Sequence, residues 1–312
     1  MRFAVLFPGQ GSQQVGMGAE LFEARPDLLG SAADDLLGWS LRSVCLEGPQ
    51  SELTRTDRAQ PALFAVAYAL WDEFARLLGE ARPSAAAGHS LGEYTALAAA
   101  GVVDYFTGLR VVAERGRAMA DAAARRPSGM AALLGCDLET AEMIARVRRD
   151  DGGSLWVANV NAPGQMVLAG AEEDLEWLVT HGSELGARRV TRLNVAGAFH
   201  SPLMASATDE LRESLHTVAA ALPSFPVWAN VTARPSMVSE VRDLLARQVE
   251  SPVRFSDSLE DMAATVDAFV HVGPGDVTAA LARRSTSGRE VLVVNDLSSA
   301  AVVAEYLQQE IG

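Results

Sequence analysis

Residues 87–93 read Ala87-Gly88-His89-Ser90-Leu91-Gly92-Glu93. They follow a run of small residues, Ser84 to Ala87, and open an alanine- and leucine-rich helical stretch, Tyr94 to Ala100. Strand, tight turn and helix is the setting of a nucleophile elbow, and Gly88 and Gly92 flank Ser90 at the G-x-S-x-G spacing. Missing side chains at these two positions let the backbone turn sharply and let strand and helix approach. Ser90 then stands at a helix N-terminus, where free N–H groups and the helix dipole favour negative charge. An oxyanion forming there meets the N–H of Leu91. The same residues also suit a capping serine beside a packing glycine, so the rest of the chain has to decide between the two readings.

Working outward, Phe3 to Phe7 is a continuous apolar run, the mark of a buried parallel strand. It ends in a turn, Pro8-Gly9-Gln10-Gly11-Ser12-Gln13, that begins like a dinucleotide fingerprint but has Gln14 where a glycine is required. Ala59 to Leu78 has helical periodicity with a wide apolar face, and Leu109 to Ala123 reads as another helix. From about Gly129 the rhythm changes. Strands at Met130–Leu134, Ser154–Val160, Gln165–Ala169 and Arg188–Leu193 alternate with helices at Leu138–Arg148 and Ala171–Leu185. That βαββαβ order is a ferredoxin-like unit. The α/β rhythm then resumes with helices at 203–220 and 238–248 and strands at 227–231, 268–272 and 290–295. The expected fold is a large α/β-hydrolase-like domain with a parallel sheet core, residues 1–127 and 198–312. A small ferredoxin-like domain, residues 128–197, is inserted in it.

Composition narrows the function classes. The chain has 312 residues, 49% hydrophobic and 21% charged, which suits a globular protein with a sizeable core. A formal net charge of −14 argues against nucleic acid or an anionic membrane as partner. All 26 basic residues are arginine. Cys45 and Cys136 have neither disulfide-framework nor zinc-site spacing, and the five histidines form no metal cluster. No stretch approaches the roughly 20 apolar residues of a membrane span, and the N-terminus is too short for a signal peptide. These features imply a reduced, cytoplasmic protein without a metal or cofactor.

A serine hydroxyl needs a base before it is a useful nucleophile. His89 adjoins Ser90, where side chains at an elbow diverge. His181 lies near a helix end, His216 in a helical run and His271 at the end of an apolar strand. His200, in Gly197-Ala198-Phe199-His200-Ser201-Pro202, stands on the loop where the small unit rejoins the large one, a common place for an active-site wall. It is the preferred candidate, with a capping role as the alternative.

Five segments together resemble one family. Phe7-Pro8-Gly9-Gln10-Gly11-Ser12-Gln13, Gly88-His89-Ser90-Leu91-Gly92-Glu93, Glu114-Arg115-Gly116-Arg117, Gly197-Ala198-Phe199-His200-Ser201 and Val272-Gly273-Pro274-Gly275 stand in the order found in malonyl-CoA:acyl carrier protein transacylases. That family is related to the acyltransferase domains of fatty acid and polyketide synthases. The resemblance implies ping-pong transfer of malonyl from malonyl-CoA to the phosphopantetheine thiol of an acyl carrier protein. Ser90 would be the nucleophile, His200 the base, and the N–H groups of Gln10 and Leu91 the oxyanion hole. It further implies that Arg115 pairs with the malonyl carboxylate, that Gln60 and Asn161 lie near the acyl pocket, and that a backbone carbonyl orients His200. Counting back from Pro252 assigns that carbonyl to Ser251. Phe199, a bulky residue before the histidine, goes with malonyl rather than methylmalonyl in synthase acyltransferases.

Three functions stay open on these grounds. They are a malonyl transferase (or a trans-acting polyketide acyltransferase using another acyl-CoA), a hydrolase clearing carrier-bound acyl chains, and a non-catalytic carrier-binding scaffold. Arg115 favours transfer of an acyl group with a free carboxylate. Carrier docking would draw on Arg146, Arg148 and Arg149, on Arg188, Arg189 and Arg192, or on Arg283 and Arg284.

Overall fold

Every residue of Phe3–Phe7 is buried and apolar, so this strand needs cover on both faces. In the computed structural model, which describes residues 1–311, it is strand β1. The others are β2 (Ala85–Gly88), β3 (Ser128–Leu134), β4 (Leu155–Ala162), β5 (Gln165–Ala171), β6 (Arg189–Arg192), β7 (Val227–Ala229), β8 (Arg234–Pro235), β9 (Val253–Arg254), β10 (Ala268–Val272) and β11 (Glu290–Val294). One sheet has the order β11-β10-β1-β2-β7-β8. It is parallel apart from the short β8, which runs antiparallel to β7. Alternate β1 side chains serve different cores, as period-2 geometry requires. Phe3, Val5 and Phe7 pack with the buried side of helix Thr56–Leu78, whereas Ala4 and Leu6 face Trp228, Phe255 and Leu259.

Register fixes where chemistry can occur. Phe7 pairs with Gly88, so the turn after β1 and the elbow after β2 leave the sheet side by side at its C-terminal edge. Ligands of open α/β sheets bind at that edge. The second sheet has the order β6-β3-β5-β4-β9. Its first four strands are antiparallel neighbours and form the expected βαββαβ unit. Helices Leu138–Asp150 and Glu172–His181 cover one face through Ile144, Leu175 and Leu178, while Met130, Ala158 and Val167 turn the other face toward the larger core. The fold is therefore mixed α/β, with a parallel sheet and a smaller ferredoxin-like subdomain.

Several elements depart from the sequence reading. β9 crosses from the larger part of the chain to pair in parallel with β4, Asn159 against Val253. Helix Thr56–Leu78 starts before the expected Ala59 and carries Pro61 inside. The helix expected over 203–220 ends at His216, and the one expected over 171–185 ends at His181, before Gly182. The structure adds short helices between Ala19 and Thr54 and helices Phe255–Ala263, Val277–Ser285 and Leu297–Ile311, none of which the sequence pattern marks. Among the described residues no helix is long and apolar enough to cross a membrane.

Candidate active site

The elbow is built on contacts that leave no room for side chains. A Cβ on Gly88 would lie 1.8 Å from the Gly92 carbonyl carbon, and one on Gly92 would lie 2.2 Å from the Phe7 oxygen. Ser90 between them has φ 52°, the left-handed region that an L-residue enters at a cost of about 1–3 kcal/mol. Asn230, just beyond β7, straps the turn. Its Oδ1 accepts from the Ser90 N–H at 2.8 Å, and its Nδ2 donates to the Gly88 carbonyl at 2.8 Å.

Ser90 Oγ lies 2.8 Å from His200 Nε2. His200 also has a positive φ, 60°, and its N–H donates to the Val249 carbonyl. On the other side of the ring, Nδ1 donates to the Gln248 carbonyl at 2.7 Å, which leaves Nε2 free to accept the serine proton. This corrects the assignment to Ser251. Helix Val241–Gln248 ends at Gln248, and the last carbonyls of a helix have no intrahelical donors. The Gln248 oxygen is thus exposed to a side-chain donor. The Ser251 N–H itself turns back toward that oxygen at 3.4 Å, and the Ser251 backbone has only a minor influence on the ring. Burial, aided by the Arg115 charge, lowers the His200 pKa to about 3, so the imidazole is neutral at ordinary pH.

Arg115 projects from helix Tyr105–Arg125 and is 1% exposed. Nη2 donates to Ser90 Oγ at 3.0 Å and to Gln248 Oε1 at 2.8 Å, and Nη1 donates to Gln60 Oε1 at 2.5 Å. The Tyr94 ring lies 5.2 Å from the guanidinium carbon. Nε is buried without an acceptor, and no carboxylate among the described residues is paired with Arg115. Gln60 is held in turn by donation to the Met119 sulfur. Asn161, at the end of β4, accepts at Oδ1 from His89 Nε2 at 2.8 Å, which links the elbow to the small sheet. His89 is half-buried, and desolvation lowers its pKa.

Gln10, Gln60, Ser90, Arg115, Asn161, Phe199 and His200 all line one cleft of about 190 Å³ between the two sheets. Phe199 is 5% exposed, so its ring both lines this cleft and belongs to the core. The turn after β1 presses on the elbow: a Cβ on Gly9 would come within 2.3 Å of the His89 oxygen. Among the described residues, neither the Gln10 nor the Leu91 N–H donates to a carbonyl in the turns and caps. Leu91 itself precedes helix Gly92–Ala99.

Sequence reasoning missed Asn230, the Gln248 side chain, Glu93 and Tyr94. Glu93 stands within the elbow motif, but only the fold reveals its burial, which pushes its carboxyl pKa up to about 7. The other histidines are occupied elsewhere. His271 sits between Thr278 Oγ1 and the Gly273 carbonyl, and His181 contacts the Trp177 carbonyl. Several proposed docking arginines are engaged within the fold. Arg148 pairs with the buried Asp174, Arg149 donates to the Leu155 carbonyl, and Arg192 pairs with Glu172. Arg283 donates to the Val291 carbonyl, and Arg284 reaches Gln165 and the Pro163 carbonyl near the cleft mouth.

Comparison with known proteins agrees with this geometry. The profile of the family described as acyl transferase domain matches residues 5–311. The malonyl CoA-acyl carrier protein transacylase of Bacillus subtilis is 36% identical over 313 residues, 99% of this chain and 98% of the relative. The polyketide biosynthesis malonyl CoA-acyl carrier protein transacylase PksC of the same species is 38% identical over 295 residues, 92% of this chain and 98% of the relative. The malonyl-transacylase PlMCAT, solved in complex with the type II polyketide synthase acyl carrier protein AntF, superposes with a TM-score of 0.93 at 34% identity. The match covers 98% of this chain and all of that one. The acyl-carrier-protein-S-malonyltransferase of Bartonella henselae gives 0.93 at 36% identity, covering 98% and 99%. Fold, motif order and full-length similarity together make this chain a member of the acyl transferase domain family and, within it, of the malonyl-CoA:acyl carrier protein transacylases.

Proposed function

We propose that this protein transfers malonyl from malonyl-CoA to the phosphopantetheine thiol of an acyl carrier protein through an ester on Ser90. One observation carries the reading: a buried guanidinium without a carboxylate partner lies 3.0 Å from the candidate nucleophile. A buried cation wants a counter-charge, and a planar guanidinium fork suits a carboxylate. The free carboxylate of a malonyl thioester supplies one and sets the thioester carbon beside Ser90 Oγ.

Ser90 Oγ attacks that carbon as its proton passes to His200 Nε2. The Gln248 carbonyl holds the imidazole in the tautomer this needs. Negative charge develops on the carbonyl oxygen between the N–H groups of Gln10 and Leu91, and one such donor is typically worth about 3 kcal/mol. Collapse breaks the carbon–sulfur bond, and CoA leaves with the proton held by His200. The carrier thiol then gives its proton to His200, attacks the ester, and restores the Ser90 hydroxyl. His200 is a weak base in the free enzyme partly because of Arg115. Neutralising Arg115 with the malonyl carboxylate raises the imidazole's basicity, so substrate binding and base activation are linked. In this reading residues 1–127 and 198–312 form the catalytic domain, residues 128–197 wall the cleft, and the reaction takes place in the cytoplasm.

The test is covalent. Mixing with malonyl-CoA should add one malonyl mass at Ser90 by intact-protein and peptide mass spectrometry, and Ser90→Ala should abolish it. No adduct, or an adduct elsewhere, overturns the mechanism. An ester that hydrolyses within a turnover while carrier protein is present points to the hydrolase instead.

A further inference from the structure

The proposed chemistry uses Ser90, His200 and Arg115, yet a fourth ionisable group lies beneath them. Glu93 is 2% exposed, in the first turn of helix Gly92–Ala99, and points into the protein. Its Oε2 accepts from Gln248 Nε2 at 2.6 Å and from the Asn230 N–H at 3.0 Å. These two residues hold the site through their other groups. Asn230 straps the elbow through the Ser90 N–H and the Gly88 carbonyl. Gln248 orients His200 through its carbonyl and receives Arg115 at its Oε1.

We propose that Glu93 is a positioning residue for acyl transfer, setting Arg115 through the Gln248 side-chain amide and the Ser90 elbow through the backbone N–H of Asn230, whose side chain straps that turn. The inference rests on the acyl-transfer reading above. The Gln248 amide has one end of each polarity. Its Nε2 faces acceptors only: Glu93 Oε2, the Ser90 carbonyl at 2.9 Å and Asn230 Oδ1 at 3.3 Å. Its Oε1 faces the Arg115 guanidinium. The reversed amide would set oxygen against three oxygens and N–H against a cation. Glu93 makes the shortest of the Nε2 contacts, so it does most to hold this orientation, and with it the line from Gln248 Oε1 to Arg115 Nη2 to Ser90 Oγ.

A merely structural acid would act differently. A carboxylate in a first helical turn stabilises the helix through its dipole, and losing it lowers stability without changing which acyl group is preferred. Positioning through Gln248 bears on Arg115, so its loss shows in the preference for malonyl over acetyl.

The experiment compares wild type, Glu93→Gln, Glu93→Leu, Gln248→Met and the Glu93→Leu/Gln248→Met double variant. Each is checked by circular dichroism and thermal melting, then assayed for kcat and KM with malonyl-CoA and acetyl-CoA as acyl donors to carrier protein. Glu93→Gln keeps an oxygen acceptor, so it should stay within about threefold of wild type in both kcat and selectivity. Glu93→Leu removes the acceptor at similar size, and its malonyl-to-acetyl ratio in kcat/KM should fall by about tenfold or more. Gln248→Met should show a similar loss, and the double variant should be little worse than either, because the two act in one chain. An unchanged ratio in folded Glu93→Leu, or equal losses in Glu93→Gln and Glu93→Leu, overturns the proposal. Should Glu93→Leu not fold, Gln248→Met decides, and an unchanged ratio there overturns it as well. Failure of wild type to form a malonyl ester would instead refute the acyl-transfer reading.

Discussion

Arg115 is nearly inaccessible, and its paired donors, Nη1 and Nη2, go to two amide oxygens and the serine hydroxyl rather than to an acid, while Nε has no acceptor. Desolvation lowers its pKa, with Tyr94 and Glu93 acting the other way, yet a guanidinium keeps its proton. Such a residue is costly to the free protein and useful only once an anion arrives. Arg115→Ala should therefore reduce kcat/KM for malonyl-CoA by about 100-fold, the size of a lost charge-assisted contact of about 3 kcal/mol. Acetyl loading has no carboxylate to lose and should rise relative to malonyl. Equal losses for both donors would make Arg115 a structural residue. Phe199 poses a steric question. Its ring lines the cleft and would abut a branch on the malonyl α-carbon. Phe199→Ser should narrow the preference for malonyl-CoA over methylmalonyl-CoA, measured as a ratio of kcat/KM values. The ring also packs against the position of Gly197, so the variant should lose stability, as large-to-small core substitutions do. A variant that melts earlier but keeps its selectivity would show that the ring only packs.

At the scale of elements, the site depends on how closely β1, β2 and helix Gly92–Ala99 approach. Gly92→Ala would place a methyl 2.2 Å from the Phe7 carbonyl oxygen, and a backbone atom cannot swing aside as a side chain can. The helix must shift, carrying the Leu91 N–H and Glu93 with it. We expect a large fall in melting temperature together with loss of the Ser90 ester, and a stable, fully active Gly92→Ala would refute this account of the elbow. The elbow was legible in the sequence because strand, glycines and helix are adjacent there. The βαββαβ unit was legible for the same reason, since its strands and helices alternate locally. What escaped notice depends on contacts distant in the chain. β9 is two residues long and exists because β4 offers it a partner. Counting from a proline points to the Ser251 carbonyl, whereas the end of a helix selects that of Gln248 to orient the histidine. Glu93, Asn230 and Gln248 lie up to 155 positions apart, and no local pattern marks two amides that meet one buried acid. The short helices between Ala19 and Thr54 have four to seven residues each, too few for a periodic signal.

For the whole molecule, burial of histidines should govern behaviour in acid. His200 is lowered to about 3 and His271 to about 4, both mainly by desolvation, and His89 is lowered as well. Each is neutral in the folded protein and takes a proton near pH 6.5 once unfolded. Below that value the unfolded chain binds more protons, so the stability these residues contribute is complete above pH 6.5 and is lost as pH falls toward 4. Glu93 acts in the opposite sense. Its folded pKa of about 7 exceeds the unfolded 4.5, so its contribution is complete below pH 4.5 and is lost as pH rises through 7. His200 and His271 together outweigh one carboxyl, and the difference of about one proton gives a slope of about 1.4 kcal/mol per pH unit between pH 4.5 and 6.5, to which His89 adds in the same sense. Urea unfolding across that range should show stability rising with pH. His271 is the residue to alter, because it lies outside the cleft, bonded to Thr278 and the Gly273 carbonyl. His271→Gln can keep contacts of both polarities without a titrating ring, so its slope should be smaller by about 1.4 kcal/mol per pH unit. Glu93→Gln removes the opposing group and should steepen the slope by a similar amount. A wild-type curve that is flat from pH 4.5 to 6.5, or identical slopes in all three proteins, would mean that these buried groups do not set acid stability.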